Sequence, residues 1–358
     1  MKTLAPRTAL AAEDRISRPS GRLRPSDHFY RAATASALAK LTRSGGDSED
    51  WAWRLWNGDD ATICVLRSAA APGSTATSGW AAEIAGSAVS DLVASLAPVS
   101  AGAALLTRAT RVSFSGITSV SLPGITGGAT ASWVSENNPI PVTAPILDAA
   151  SIAPRKLGAL AVMSEEMLRV TFAEASVRLS LGEAFARAID LALFSDFAGD
   201  ASQPPGLLAG INPLDAFPGG DDTAMKTDIG ALVSGVSGAG GQVVLVAAVP
   251  QAITIQMALP GLTVPIYPSA HLAAGTVIAI AIQALVAGTG PVADFDTTKE
   301  ATVVMRTDPA SMVAGGSTAH PQRSLYQTGT IGLRALVDVA WSLRPSASPA
   351  VAWLSASW

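Results

Sequence analysis

The stretch "ASWVSENNPIP", residues 131–141, indicates how the chain is organised. It combines a large aromatic side chain, Trp133, with a lone acid, Glu136, and two prolines, Pro139 and Pro141. Proline lacks the backbone N–H and fixes φ, so the segment fits neither a helix interior nor a central strand. The stretch therefore predicts an extended loop that carries a tryptophan just ahead of the clearest helical pattern in the chain.

Extended segments flank this stretch on both sides. Residues 111–134 alternate like two strands joined by a glycine-rich turn at 124–128, and residues 153–163 return as another strand. Together they predict a long hairpin, which is too poor in self-burial to be stable alone. We expect Trp133 to pack either across this hairpin or on a neighbouring subunit.

A long amphipathic helix is predicted after this hairpin. Ser164 is a suitable N-cap, and the acids Glu165 and Glu166 lie where the helix dipole favours negative charge. Apolar residues then recur at helical spacing: Ala173, Val177, Leu181, Phe185, Ile189 and Ala192. If unbroken to Phe197, this helix would span about 50 Å.

The remaining segments predict a mixture of helices and strands. Residues 80–96 have a modest helical pattern, and short apolar strands alternate with Gly/Ala-rich turns beyond residue 206. Residues 331–343 alternate apolar and polar side chains, which is typical of a half-buried antiparallel strand.

Composition limits the class of protein. The chain has 358 residues, 49% of them hydrophobic and only 15% charged, so it is too apolar to be disordered as a whole. Burial between subunits is a natural way to cover so much apolar surface. A single cysteine, Cys64, excludes an intrachain disulfide and fits a reducing compartment. No apolar run reaches the roughly 20 residues of a membrane helix, and Pro6 and Arg7 interrupt a signal-like N-terminus.

Charge separates the first part of the chain from the rest. Residues 1–67 hold 11 Lys/Arg against 8 Asp/Glu, a balance of +3, whereas the remainder holds 13 against 20, a balance of −7. Three tryptophans, Trp51, Trp53 and Trp56, cluster in the first part, and small residues at 69–79 follow it. This pattern predicts a separate arm or small helical segment followed by a linker.

No motif in the sequence predicts catalysis, a cofactor or a metal. The histidines, His28, His271 and His320, are far apart, and neither a zinc-binding spacing nor a phosphate-binding loop occurs. The acid pair Glu165–Glu166 is explained by helix-start electrostatics, and Asp221–Asp222 by a solvated turn. The chain is therefore not predicted to be an enzyme.

Four segments resemble those of a known family: "WVSENNPIPV" (133–142), "APRKLGALAVMSEEML" (153–168), "DASQPPGLL" (200–208) and "SLYQTGTIGLRALVDVAWSLRP" (324–345). Their order and spacing resemble the major capsid proteins of tailed phages, which have the HK97-type shell fold. The matching positions are Trp133, Val134, Glu136, Ile140, Pro141, Pro154, Lys156, Leu157, Ser164, Glu165, Leu168, Pro205, Gly206, Gln327, Leu333, Arg334, Trp341 and Arg344. The likeness covers roughly residues 78–358.

The resemblance implies an α+β fold with an N-terminal arm, an extended β-hairpin loop (E-loop), a long spine helix, a peripheral (P) domain and an axial (A) domain. The implied ranges are 1–77 for the arm or scaffolding-like extension, 78–111 for the N-arm of the shell domain, 112–154 for the extended loop, 155–206 for the P-domain strand and spine helix, 207–320 for the A-domain and 321–358 for the C-terminal P-domain strands. The arm is either a scaffolding segment that a phage protease removes or an extension that is retained in the shell.

The resemblance also implies a structural function. The chain would assemble with itself into hexamers and pentamers of an icosahedral shell that encloses double-stranded DNA without sequence-specific binding. Portal, scaffolding or maturation protease and decoration proteins are implied partners, with assembly in the host bacterial cytoplasm and residence in the virion. An encapsulin-like nanocompartment shell and, from another class, a hydrolase with a dispersed site are the alternatives.

Particular residues acquire predicted roles from this likeness. Trp133, Glu136, Ile140 and Pro141 are expected at a subunit interface or in loop packing, and Ser164 and Glu165 at the start of the spine helix. Glu136 is either a solvated acid or part of a salt bridge across the subunit boundary. No lysine occurs between residues 111 and 155, so a covalent loop crosslink of the kind known in some family members is not expected.

Overall fold

The computed structural model describes residues 25–41, 47–56, 59–70, 82–114, 118–128, 132–134, 142, 144, 146–169, 173–239, 241–304, 313–314, 317–318 and 322–358. Its helices are α1 (Pro25–Leu41), α2 (Ser48–Trp56), α3 (Asp60–Ala70), α4 (Ala82–Leu96), α5 (Ala101–Arg108), α6 (Glu165–Arg169), α7 (Ala173–Leu193), α8 (Asp222–Ser237) and α9 (Val249–Ala258). Its strands are β1 (Thr110–Ser113), β2 (Val120–Gly127), β3 (Ile146–Ile152), β4 (Lys156–Ser164), β5 (Val243–Ala248), β6 (Ile266–Ser269), β7 (Thr276–Ala281), β8 (Leu285–Thr298), β9 (Thr302–Val304), β10 (Val313–Ala314), β11 (Ser317–Thr318), β12 (Gln322–Ser324), β13 (Thr330–Leu343) and β14 (Val351–Ser355).

A four-stranded sheet in the order β1-β8-β13-β4 lies at the centre of the molecule. Strand β13 is antiparallel to both β4 and β8, and its register with β8 shifts between Val337 and Val339. The alternation over residues 331–343 predicted such a strand. Its apolar side chains, including Leu333, Val337 and Trp341, are buried, whereas Arg334 is exposed.

Helix α7 packs its apolar stripe into this core. Val177, Leu181, Phe185 and Ile189 recur every four residues and are almost fully buried, as the helical spacing predicted. Leu193 continues this stripe in place of the predicted Ala192, which is only partly buried. The extent was predicted wrongly at the C-terminal end, because α7 ends at Leu193 rather than at Phe197. The amide of Leu207 donates to the carbonyl oxygen of Leu193 over 2.7 Å, so the returning chain satisfies the end of the helix.

A second four-stranded sheet, in the order β14-β7-β5-β6, forms its own core with α8 and α9. Every residue of β7 is buried, which fits its unbroken apolar run. The N-cap of α8 is Asp221, whose side chain accepts a hydrogen bond from the amide of Ala224. The acid pair at residues 221–222 therefore begins a helix rather than only a solvated turn.

Strands β2 and β3 form a separate two-stranded hairpin. The prediction of a glycine-rich turn at residues 124–128 is wrong, because residues 124–127 belong to β2 and pair with β3. Gly124 serves close approach instead of a turn, since a Cβ there would overlap the carbonyl oxygen of Pro345. Residues 132–134, predicted as extended strand, have no regular secondary structure.

Helices α1, α2 and α3 form an N-terminal helical unit, residues 25–70, of which α1 contacts α4, α7 and β8. Ala32, Ala35, Ala52, Val65 and Leu66 form a small core inside this unit. The six domain ranges predicted from the sequence stay predictions.

Candidate assembly surface

The β2–β3 hairpin is anchored mainly at one end. Leu122 and Ile152 are buried there and pack with Phe114, Val286 and Ala340 of the main body. The bridge between Ile125 and Ser346 adds a backbone contact further along β2, towards the other end. The anchored end thus fixes the direction of the hairpin without covering the rest of it.

The other end of the hairpin exposes large apolar side chains. Ile146 and Leu147 are 66% and 67% exposed, and Ile125 is 57% exposed. Beyond the strands, the side chains of Trp133 and Val142 are fully exposed or almost so. Single exposed apolar residues are ordinary, but a group of five on one extension is a candidate contact surface. We refer to Ile125, Ile146 and Leu147 as the hairpin patch.

The predicted interface residues fall partly inside this region. Trp133 does not pack across the hairpin in the isolated subunit, because its side chain is fully exposed. Glu136, Ile140 and Pro141 lie outside the described residues, so their predicted roles stay predictions.

Two side chains at the start of α6 make contacts there, and the predicted role of Ser164 and Glu165 at the start of the spine helix stays a prediction. Ser164 Oγ accepts a hydrogen bond from the amide of Met167 at 3.2 Å, which is the geometry of an N-cap, and α6 begins at Glu165. The carboxylate of Glu165 lies 3.1 Å from Nζ of Lys299, just beyond β8. This ion pair joins the helix start to the main sheet, and the sequence did not predict it.

A second exposed apolar surface lies on α9. Val249, Ile253 and Met257 are spaced by four residues, so they share one face of the helix. Their side chains are 38%, 52% and 79% exposed, whereas Ala252 and Ile255 on the opposite side are buried. The helix carries no charged residue, which makes it unusual as a solvent-facing element.

A buried carboxylate connects three elements beneath these surfaces. Asp190 on α7 is 2% exposed and accepts hydrogen bonds from Ser100 Oγ at 2.5 Å and from the amide of Gly102 at 2.8 Å. Ser269 Oγ, at the end of β6, donates to its other oxygen over 3.1 Å. Asp190 thereby links helix α7, the N-terminus of α5 and the second sheet. The signal in the sequence was a lone acid inside the apolar run of α7.

Two of the three histidines lie in the described part of the chain, and both take part in structural hydrogen bonds. His28 contacts Asp59 and Thr62 within the N-terminal helical unit, while the amide of His271 donates to Ser269 Oγ. His320 lies outside the described residues. Within the described ranges, no three His, Cys, Asp or Glu side chains are grouped to hold a metal ion. Across the same ranges, none of the helices has the length and apolar character needed to cross a membrane.

The comparisons with known proteins agree with the motif-based resemblance. Residues 93–257 match the model of the phage capsid family. No curated protein matches the chain by sequence.

Solved structures from phages share the fold. The chain is similar to a structure from Mycobacterium phage Bobi, with 17% identity over 71% of this chain and 90% of that one and a TM-score of 0.52. Structures from Mycobacterium phage Adephagia and Microbacterium phage Oxtober96 have 13% and 16% identity over 71% of this chain, cover 90% and 91% of those chains, and give TM-scores of 0.51 for both. The predicted α+β, HK97-like fold is confirmed.

Proposed function

We infer that the protein is a structural capsid protein of the tailed-phage type, because residues 93–257 match the phage capsid family and 71% of the chain shares its fold with solved phage structures. The family match is the observation that carries this conclusion. The matched range runs from the last turn of α4 to α9 and so includes the hairpin, the spine helix and one strand, β5, of the second sheet. The family supports a structural role over an enzymatic one.

We propose that the protein assembles with itself into hexamers and pentamers of an icosahedral shell. The hairpin patch, Trp133 and the apolar face of α9 supply contact surfaces of the kind that such rings need, because a ring joins two different surfaces of each copy. Glu136, Ile140 and Pro141 are proposed to contribute to the same loop contact as Trp133.

The shell is proposed to enclose double-stranded DNA without binding it strongly. Strong nonspecific phosphate binding needs clustered Lys and Arg, and the chain after residue 67 has a balance of −7. We further propose that the shell assembles in the host bacterial cytoplasm. Portal, scaffolding or protease and decoration proteins are its proposed partners. Its place of residence is the virion.

Electron microscopy of the purified full chain tests the assembly proposal. We expect closed shells of uniform size together with a small pool of unassembled subunits. Substituting Ile146→Asp together with Leu147→Asp should abolish the shells, because it places two charges at a contact that must become dry.

The matched control is Ser121→Asp, which adds a charge at an exposed polar position of the same hairpin. Circular dichroism should show that all the variants remain folded. If the wild-type protein stays monomeric under conditions of high concentration and varied salt, or if the double variant still forms shells, the proposed contact is wrong.

A further inference from the structure

We propose that α4, α7 and β8 form a helix-binding groove with α1 as its permanent ligand, so that the N-terminal helical unit stays on the subunit even after the chain between α3 and α4 is cut. This inference concerns packing inside one subunit and does not depend on shell assembly. The N-terminal arm is either removed by a phage protease or retained in the shell. The packing of α1 favours retention of the described part of this arm.

Phe29 is the centre of the contact. Its side chain is 1% exposed, and its ring centroid lies 4.4 Å from that of Phe295 on β8 and 6.5 Å from that of Phe185 on α7. Both ring pairs are edge-to-face, which is a favoured arrangement of aromatic quadrupoles. One residue of α1 thus closes the space between the spine helix and the main sheet.

Tyr30 makes a second contact that only a small residue on α7 permits. A Cβ placed on Gly182 would lie 3.2 Å from the hydroxyl oxygen of Tyr30, so the glycine leaves room for the ring. The guanidinium carbon of Arg178 lies 4.8 Å from the centroid of this ring, and Nη1 of Arg178 donates to Asp27 Oδ1 over 2.6 Å. Burial raises the pKa of Tyr30 above its usual value, so the ring stays neutral.

The contact continues along the whole helix. Ala33, Ala37 and Leu41 follow Phe29 at intervals of four residues and are buried in the main core. Near the same face, Thr297 Oγ1 of β8 donates to the carbonyl oxygen of Ser36. A helix that is buried along four turns and hydrogen-bonded to the sheet is part of the core rather than an appendage.

The opposite face of α1 holds the other two helices. Asp59, at the start of α3, accepts hydrogen bonds from Arg31 Nη1 at 2.9 Å and from Thr62 Oγ1 at 2.7 Å, and its carboxylate lies 2.9 Å from His28 Nδ1. Ala32 and Ala35 are buried against α2 and α3. The three helices are therefore one block, in which α3 also contacts α4 and β8 directly.

Proteolytic processing of the N-terminus is limited by this arrangement. A cut before Pro25 leaves every described contact intact. Loss of α1 would instead expose Phe185, Leu181 and Phe295 of the groove to water and would take away the Asp27 partner of Arg178. The unit should accordingly remain bound in mature particles.

The test is a cut within the full chain. Residues 74–79 are replaced by the recognition site of a sequence-specific protease, and the unassembled protein is cleaved and run on a native size-exclusion column. We expect the N-terminal fragment to co-elute with the remainder in a 1:1 ratio. Elution of the wild-type fragment as a separate peak would overturn the proposal.

Two variants test whether the contacts of α1 with the groove are what retains the N-terminal fragment. Phe29→Ala in the cut protein should raise the fraction of released fragment at least tenfold, whereas Lys40→Ala, at an exposed position of the same helix, should leave it unchanged. If Phe29→Ala lowers the recovery of folded protein, the wild-type elution profile still decides the question. Equal release from both variants would show that α1 is held elsewhere.

Discussion

Helix α1 and the β2–β3 hairpin each bury little apolar surface within themselves. The apolar side chains of α1 are buried against the main core, whereas those of the hairpin patch are exposed to solvent. Helix α1 inserts Phe29 and Tyr30 into the main core, so that they are 1% and 2% exposed. The hairpin leaves Ile146 and Leu147 two-thirds exposed. The difference separates residues that stabilise the subunit from residues that are available to a second copy.

The largest effect on stability is expected from Phe29→Ala. Removing the ring leaves a cavity between Phe185 and Phe295, and such truncations cost about 3–5 kcal/mol. Urea unfolding followed by circular dichroism would measure the change, with Lys40→Ala as the control that should stay within about 0.5 kcal/mol. If Phe29→Ala lowers the free energy of unfolding by less than about 1 kcal/mol, α1 does not differ from the hairpin in its contribution to subunit stability.

Asp190→Ala should have the next largest effect. The substitution leaves Ser100, the amide of Gly102 and Ser269 without their buried acceptor, and unmade buried hydrogen bonds cost about 1–3 kcal/mol each. We expect a loss of several kcal/mol in the same urea experiment. Ser180→Ala, at an exposed position of the same helix, is a suitable control. A neutral result for Asp190→Ala would mean that water replaces the carboxylate.

Asp59→Asn should have a smaller effect that depends on pH. Burial raises the pKa of Asp59, but hydrogen bonds from Thr62 and Arg31 and the nearby His28 outweigh it, so the folded-state pKa lies below the usual 3.8. The ionised carboxylate therefore stabilises the fold above pH 3.8, and this contribution is lost as the pH falls through the lower folded-state pKa. At pH 7 the variant should be less stable by about 1–2 kcal/mol.

Thermal unfolding between pH 7 and pH 2.5 would measure the Asp59 effect. The difference between the wild type and Asp59→Asn should shrink as the pH drops below 3.8. A constant difference across this range would show that the carboxylate does not stabilise the block through its charge.

The smallest effect on subunit stability is expected from Trp133→Ala. The side chain is fully exposed, so its removal should change the unfolding free energy by less than about 0.5 kcal/mol. Shell yield, measured by sedimentation, should fall strongly if Trp133 contacts a neighbouring copy. Unfolding of the subunit, or an unchanged yield, would remove this residue from the interface.

The sequence predicted the elements whose patterns are local. Strand β13 follows from its alternation, and α7 from its four-residue spacing, since both periods depend only on neighbouring residues. The motifs around Trp133 and Ser164 also sufficed to indicate the HK97-like fold, which the shared phage structures confirm. Residues 93–257 match the model of the phage capsid family that these motifs resemble.

The remaining features depend on partners far away in the chain. Asp190 was missed because its donors lie 79–90 residues away, and Gly124 was assigned to a turn because its close approach is to Pro345. The core position of α1 was missed because four of the residues it buries are alanines, which give little periodic signal. No local pattern reports such contacts, so only the folded chain reveals them.

The groove for α1 also sets an order of events during translation. Ser36 leaves the ribosome 261 residues before its hydrogen-bond donor Thr297 does. At about 5–20 residues per second, the nascent helix waits roughly 13–52 s for that strand. Phe29 and Tyr30 stay without their groove during that time, and a chaperone that recognises apolar segments has an interval in which to bind them. Completion of β8, rather than emergence of the N-terminus, is therefore the step that commits a new chain to its native core.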